Sequence, residues 1–309
     1  MSFFPSGKEL KKISGPWKFA EGPAADDCGG LLFTTMGTIQ RYEYVTEETS
    51  LFRDSPGWAN GITFGPDGTL YMCEDQGRCV SRLTTNGIYE VLASRYNGKR
   101  LNSPNDLCLD SRGRIYFTDP RYGDKFDMEL DHESVYRLTP PEKSGDEWEI
   151  LRVTLDTTCP NGILLEPDDR TFWVSNSDYR PGMPRELRKY HLQSNGLLGE
   201  LDVVHRFYPG RAVDGMVMDI EGNVFATAGR ESMGNQPGVY VFSREGELLE
   251  FLPTSNMPTN CTFGGDDLST LFITVVAPKT PESNSEFEGW LFSIPANTRG
   301  RLWFPPAGK

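Results

Sequence analysis

Apolar residues along this chain fall into runs of four to eight, bounded by clusters of Gly, Pro, Asp and Asn. Such runs predict buried β-strands joined by tight turns. Six segments each join two of them: EGPAADDCGGLLFT from Glu21, NGITFGPDGTLYMC from Asn60, NDLCLDSRGRIYFT from Asn105, NGILLEPDDRTFWV from Asn161, DGMVMDIEGNVFAT from Asp214 and NCTFGGDDLSTLFIT from Asn260. A short polar residue opens each segment and a mostly apolar stretch follows. A turn such as Pro66-Asp67-Gly68, Ser111-Arg112-Gly113 or Pro167-Asp168-Asp169 then leads into the second strand. A third strand recurs further on, in CVSRLT, SVYRLT, LRKYHL, GVYVFS and GWLFSI.

The segments begin 39, 45, 56, 53 and 46 residues apart. Repeats of that length with three or four strands each predict an all-β, six-bladed β-propeller around a central channel. A β-sandwich does not predict such regular spacing of similar hairpins. No linker or composition shift divides the chain, so residues 1–309 are expected to form one domain. The last repeat shows only three strands before Lys309, and residues 8–19 are expected to supply its outer strand and close the ring.

Composition narrows the function. With 32 Gly and 22 Pro, long helices and coiled coils are excluded. Asp and Glu number 44 against 31 Lys and Arg, a formal charge of −13 with no basic stripe, which argues against nucleic-acid binding. No stretch approaches the roughly 18 apolar residues of a membrane span. The start, MSFFPSGKELKKISG, has no signal-peptide core, so a cytoplasmic location is expected. Three histidines leave no HExxH, and GxSxG, Walker and GxGxxG motifs are missing. Six cysteines without CxxC spacing read as small buried hydrophobes, with a Cys73–Cys79 bridge as the alternative.

Repeat-equivalent residues share one height around the channel. Glu21, Asn60, Asn105, Asn161, Asp214 and Asn260 are therefore expected to face one another at its mouth, two carboxylates and four amides. Such a gathering is unfavourable unless something neutralises it. A hard divalent cation does so, and oxygen donors suit calcium better than zinc. For any one position, a turn residue bonding its own backbone is the plainer account; six equivalent positions favour a metal site. The acidic residues of the hairpin turns, Asp67, Asp168, Asp169, Glu221, Asp266 and Asp267, read as turn formers. The run DKFDMELDHE from Asp124 lacks EF-hand spacing and reads as a solvated loop at the edge of the mouth.

The stretch GKRLNSPNDLCLDSRGRIYFTDPRYG (Gly98 to Gly123), with AEGP at Ala20, CPNGI at Cys159, VDGM at Val213 and NCTFGGDD at Asn260, resembles the gluconolactonase branch of the regucalcin and gluconolactonase family. The likeness covers nearly the whole chain in order. It implies a six-bladed propeller with one catalytic divalent ion at the channel mouth, usually calcium, for which magnesium, manganese or zinc substitutes. It also implies hydrolysis of sugar lactones. Glu21, Asn161 and Asp214 match the family's metal ligands, and Asn105 matches a fourth position that binds the ion directly or through water. Two departures stand out. Animal members carry a substrate-binding Arg where this chain has Ser103. Organophosphate-hydrolysing relatives hold a second calcium through an Asp and a His where this chain has Val217 and Asn260, so that second site is not expected.

The expected activity is metal-dependent hydrolysis of a sugar lactone, D-glucono-1,5-lactone first. The cation polarises the carbonyl and a water attacks it. Asp214 is the expected general base, with Glu21 second. Asn105 and Asn161 orient substrate, and Tyr122 and Trp58 form walls of the mouth or, equally, pack the blades. The alternatives are another lactone or phosphotriester hydrolase on this scaffold, or a non-catalytic calcium-binding propeller. The partner expected is a small molecule, with neither nucleic acid nor membrane.

Overall fold

A computed structural model describes residues 2–26, 30–143, 145–278 and 286–301. Six four-stranded antiparallel sheets succeed one another as blades of a β-propeller. The innermost strands of the first five are Glu21–Ala25, Ala59–Phe64, Leu107–Leu109, Pro160–Leu165 and Met216–Met218. The sixth blade comprises Met257–Gly264, Thr270–Pro278 and Phe287–Pro295, and its outermost strand is Lys11–Trp17 from the other end of the chain. There Lys11 lies opposite Ser293, Lys12 opposite Phe292 and Trp17 opposite Gly289, so the first blade is tied to the last. No helix of the described residues is long and apolar enough to cross a membrane.

The hairpin turns form because their Asp side chains satisfy local backbone donors. Asp67 accepts from the Thr69 amide at 3.1 Å, and Asp168 from the Arg170 and Thr171 amides at 2.8 Å. The core lies between blades. Phe225, Val239 and Val241 of the fifth pack on Cys261, Phe263, Ile273 and Phe292 of the sixth. Because each blade is covered on both faces, second strands such as LLFT and IYFT are buried throughout instead of alternating.

Cys73, Cys79, Cys108, Cys159 and Cys261 are free thiols, which corrects the Cys73–Cys79 alternative. Cys73 lies opposite Val80 and Cys79 opposite Glu74, so the two side chains leave opposite faces of the hairpin and cannot meet. Cys28 lies outside the described residues.

Candidate functional site at the channel mouth

The innermost strands carry an irregularity where they reach the channel mouth. The ladder skips between Glu21 and Ala24, Ala59 and Ile62, Pro160 and Ile163, and Pro258 and Asn260. A bulge of this kind re-aims a side chain out of its sheet. The glycine after the polar residue makes room for the next blade. A Cβ on Gly22 would lie 2.0 Å from the Asn60 carbonyl oxygen, on Gly61 2.6 Å from that of Asn105, and on Gly162 2.0 Å from that of Asp214. On Gly215 it would lie 1.9 Å from Asn260 Cγ. Hydrogen bonds then join blade to blade: Gly61 N–H donates to Asn105 O and Gly215 N–H to Thr259 O, both at 2.8 Å. The hydroxyls of Thr34, Ser177, Thr227 and Thr259 donate to the carbonyls of Asn60, Val213, Thr259 and Ala20. These bonds tie the strand tips of neighbouring blades to one another.

Glu21, Asn60, Asn105, Asn161 and Asp214 line one cavity of about 740 Å³, together with Trp58 and Tyr122. The sixth ring residue is a correction. Asn260 lines a smaller cavity of about 170 Å³ further along the same strands, and the same ring height does not bring it to the mouth. It packs over Gly215, accepts from the Cys261 amide at 2.8 Å, and hydrogen-bonds the Glu21 carboxylate.

Glu21 is 4% exposed and accepts from the Gly22 amide. Burial, then the charge of Asp214, raise its carboxyl well above the ordinary range. Asp214 is raised by burial too, against the Arg211 guanidinium, which pairs with its Oδ2, and a hydrogen bond from Asn161. Arg211 also donates to the Pro258 carbonyl at 2.8 Å. Arg211 is therefore a site residue that the ring of strand tips does not contain. It sits three residues before Asp214, and its reach is set by the loop between blades.

The donors at this mouth fit a hard divalent cation. Glu21, Asn161 and Asp214 can hold one through carboxylate and amide oxygens, with Asn105 beside them. Arg211 engages Oδ2 of Asp214, and Asn161 hydrogen-bonds the same carboxylate. Among the described residues, no three His, Cys, Asp or Glu side chains converge, so amide oxygens are needed to complete such a set.

Trp58 and Tyr122 both border the cavity, each 38% exposed. Trp58 adopts φ 56°, a left-handed backbone that a bulky side chain seldom takes, held by its amide on the Ser55 carbonyl at 2.8 Å. The strain aims the indole at the mouth. The Tyr122 ring leans on Tyr179 at 6.3 Å between centroids, with its hydroxyl beside the Cys159 thiol. The Ser103 hydroxyl accepts from Arg121 at 2.9 Å, so a guanidinium reaches this place from elsewhere in the chain. Asp124 borders the mouth, while Asp127 of the same acidic loop pairs with Arg121 at 2.6 Å and Arg78 at 3.0 Å.

In the third blade Asp106 stands where others have glycine. Its carboxylate accepts from Leu107 N–H at 2.9 Å and, across to the fourth blade, from Ile163 N–H at 3.3 Å. Enclosure in the channel pushes its pKa up to about 7. Superposing the repeats exposes this substitution, since glycine follows the polar tip in the first, second, fourth and fifth segments.

The fold and the mouth define a six-bladed propeller of one family. Residues 19–277 match the family described as SMP-30/Gluconolactonase/LRE-like region, and the chain belongs to it. A gluconolactonase of Zymomonas mobilis is 34% identical over 237 residues, covering 72% of this chain and 61% of that protein. The chain thus spans somewhat less than two thirds of that relative. The solved structure of a gluconolactonase from Xanthomonas campestris is 28% identical, with a TM-score of 0.75 over 95% of this chain and 91% of that one. A calcium-binding regucalcin from Agrobacterium tumefaciens shares the fold at 17% identity, with a TM-score of 0.73 over 97% of each chain.

Proposed function

We propose that this chain hydrolyses a sugar lactone, D-glucono-1,5-lactone being the first to test, with a calcium ion held by Glu21, Asn161, Asp214 and Asn105. The observation that carries this reading is the pair of buried carboxylates, Glu21 and Asp214, flanked by amides at the mouth of an open channel. Membership of the gluconolactonase family and the likeness to the Zymomonas and Xanthomonas gluconolactonases support it.

The chemistry supplied by the bound cation is Lewis-acid polarisation of the lactone carbonyl. Asp214 is the general base, taking a proton from the water that attacks the carbonyl carbon. It returns that proton to the ring oxygen as the ester C–O bond breaks, leaving an aldonate. Arg211 keeps the Asp214 carboxylate oriented and in charge balance. Glu21 is the second candidate base. Asn105 and Asn161 orient substrate through amide oxygens and N–H donors. Trp58 and Tyr122 form walls against which a sugar ring lies.

Acid release from D-glucono-1,5-lactone in a pH-stat, with calcium and with chelator, tests the activity; calorimetric titration of calcium tests the site. Asp214→Ala is expected to lose at least about 100-fold in kcat/KM and to weaken calcium binding. No release above the spontaneous rate at saturating calcium would replace the hydrolase by a calcium-binding scaffold.

A further inference from the structure

Three arginines reach the mouth, Arg121, Arg211 and Arg230. Two are fully engaged. Arg121 donates to Asp127 at 2.6 Å, to the Ser103 hydroxyl at 2.9 Å, and to the carbonyls of Asn102 and Asp124 at 3.4 and 3.2 Å. Arg211 donates to Pro258 and Asp214. The half-buried Arg230 is different: among the described residues its guanidinium has no hydrogen bond, ion pair or ring contact.

Its position is nevertheless closely built. The Asn235 side chain accepts from the backbone N–H of Arg211 at 2.8 Å and of Arg230 at 3.1 Å, and donates to the Arg211 carbonyl at 2.9 Å. Glycine is required on both sides of this clamp. A Cβ on Gly210 would lie 2.2 Å from Asn235 Cγ, and one on Gly229, at φ 86°, 2.0 Å from the Gln236 carbonyl oxygen. The fifth blade and the connection leading into it therefore bring two arginines, Arg211 and Arg230, to the mouth, and Asp214 pairs with only the first. Across the channel, the second and third blades contribute Asp75 and Asp124 to the rim. Arg121 of the third blade is paired with Asp127 and Arg211 with Asp214, so among the described residues the guanidinium left without a partner at the mouth is that of the fifth blade. The chain's −13 acts through salt that screens it beyond about 8 Å, so the adjacent donor decides.

We propose that Arg230 binds an anionic substituent of the substrate, remote from the reacting carbonyl, so that the preferred substrate is a lactone bearing a carboxylate or a phosphate. This rests on the reading of the mouth as a lactone-hydrolysing site. The anionic arm lies towards the fifth blade and away from Asp75 and Asp124, which fixes the orientation of the ring over Asp214.

The test compares kcat/KM for D-glucono-1,5-lactone, D-glucaro-1,4-lactone and D-glucono-1,5-lactone 6-phosphate in the calcium-loaded wild type, Arg230→Gln and Arg230→Lys. The two anionic lactones separate carboxylate from phosphate. Wild type is expected to favour one of them, and Arg230→Gln to cut its preference over the neutral lactone by about 10- to 100-fold, the worth of a charged hydrogen bond. Arg230→Lys should restore part of it, and added salt should erode it. A wild type that favours the neutral lactone, or a variant that loses all three equally, overturns the proposal and leaves lactone hydrolysis standing. If no lactone is hydrolysed, the hydrolase reading has failed instead. Calorimetry with D-glucose 6-phosphate and D-glucuronate against D-glucose then decides Arg230 alone: weaker anion binding in Arg230→Gln upholds its role, and equal binding ends it.

Discussion

The same six strands build two levels of the central channel, and the levels handle charge differently. At the mouth, Asp214 is buried beside Glu21 and carries a guanidinium, Arg211, as its counter-ion. One step along the strands, Asp106 stands among Ile62, Leu107, Ile163 and Met216 with only backbone N–H donors for support. The outcomes follow from the partners. Asp214 is pulled back towards ionisation by Arg211, whereas Asp106 sits near pKa 7, able to be neutral at ordinary pH. A carboxylate that has to stay charged, as a cation ligand or base does, needs the first arrangement. Adjacent places in the repeat, the polar tip and the position after it, acquire different chemistry from the groups that reach them.

The sharpest way to break this contrast is Arg211→Met. Removing one partner of a buried pair leaves the other charge uncompensated, at a cost of roughly 3–5 kcal/mol. The variant should melt well below wild type in chelator, and calcium should recover more of its stability than it adds to wild type. Thermal melts with and without calcium measure both. An equal deficit under the two conditions would reduce Arg211 to a brace for the Pro258 carbonyl.

A smaller effect is expected from Gly162→Ala. The new Cβ falls 2.0 Å from the Asp214 carbonyl oxygen, so the fourth and fifth blades have to separate locally. Overpacking of this kind destabilises by about 1–3 kcal/mol, and the displaced Asp214 should lower kcat more than it raises KM. Unchanged kinetics would show that the mouth tolerates movement between blades.

A third effect, read as a slope in pH, concerns Asp119, whose carboxylate accepts from the amides of Asn102 and Ser103 at 2.9 and 2.8 Å. Burial pushes its pKa from 3.8 up to about 7. Between those values the folded protein keeps a proton that the unfolded chain releases, so Asp119 takes stability away as pH rises from 4 towards 7. In Asp119→Asn that loss disappears. The urea midpoint of the variant relative to wild type should climb across this window, and a flat difference would show that Asp119 stays ionised throughout.

Much of the architecture was legible beforehand. Apolar runs at regular spacing are a direct consequence of strands buried on both faces, and the propeller follows from counting them. The equivalent openings of the segments place Glu21, Asn60, Asn105, Asn161 and Asp214 together, because a rotational repeat puts equivalent residues at equal height. Asn260 breaks that rule: it folds over Gly215 and faces the lower cavity, a choice made by side-chain packing and not by period. Arg211, Arg230 and Tyr179 were not visible in the same way. Arg211 and Tyr179 lie on connections between strands and Arg230 at the very end of one, outside the apolar pattern, where position depends on the backbone path.

What the sequence by itself determined is the number of blades, the strand ends that meet at the axis, and the oxygen-rich chemistry they bring. Period and residue type decide these locally, within each repeat. Only the tertiary structure decided which charges touch: Arg211 on Asp214, Arg121 beside Ser103, Arg230 without a partner among the described residues, Asp106 enclosed. Those contacts depend on the path of the loops, and a guanidinium a few ångströms nearer or farther changes the charge state of a carboxylate without leaving a trace in the spacing of apolar residues.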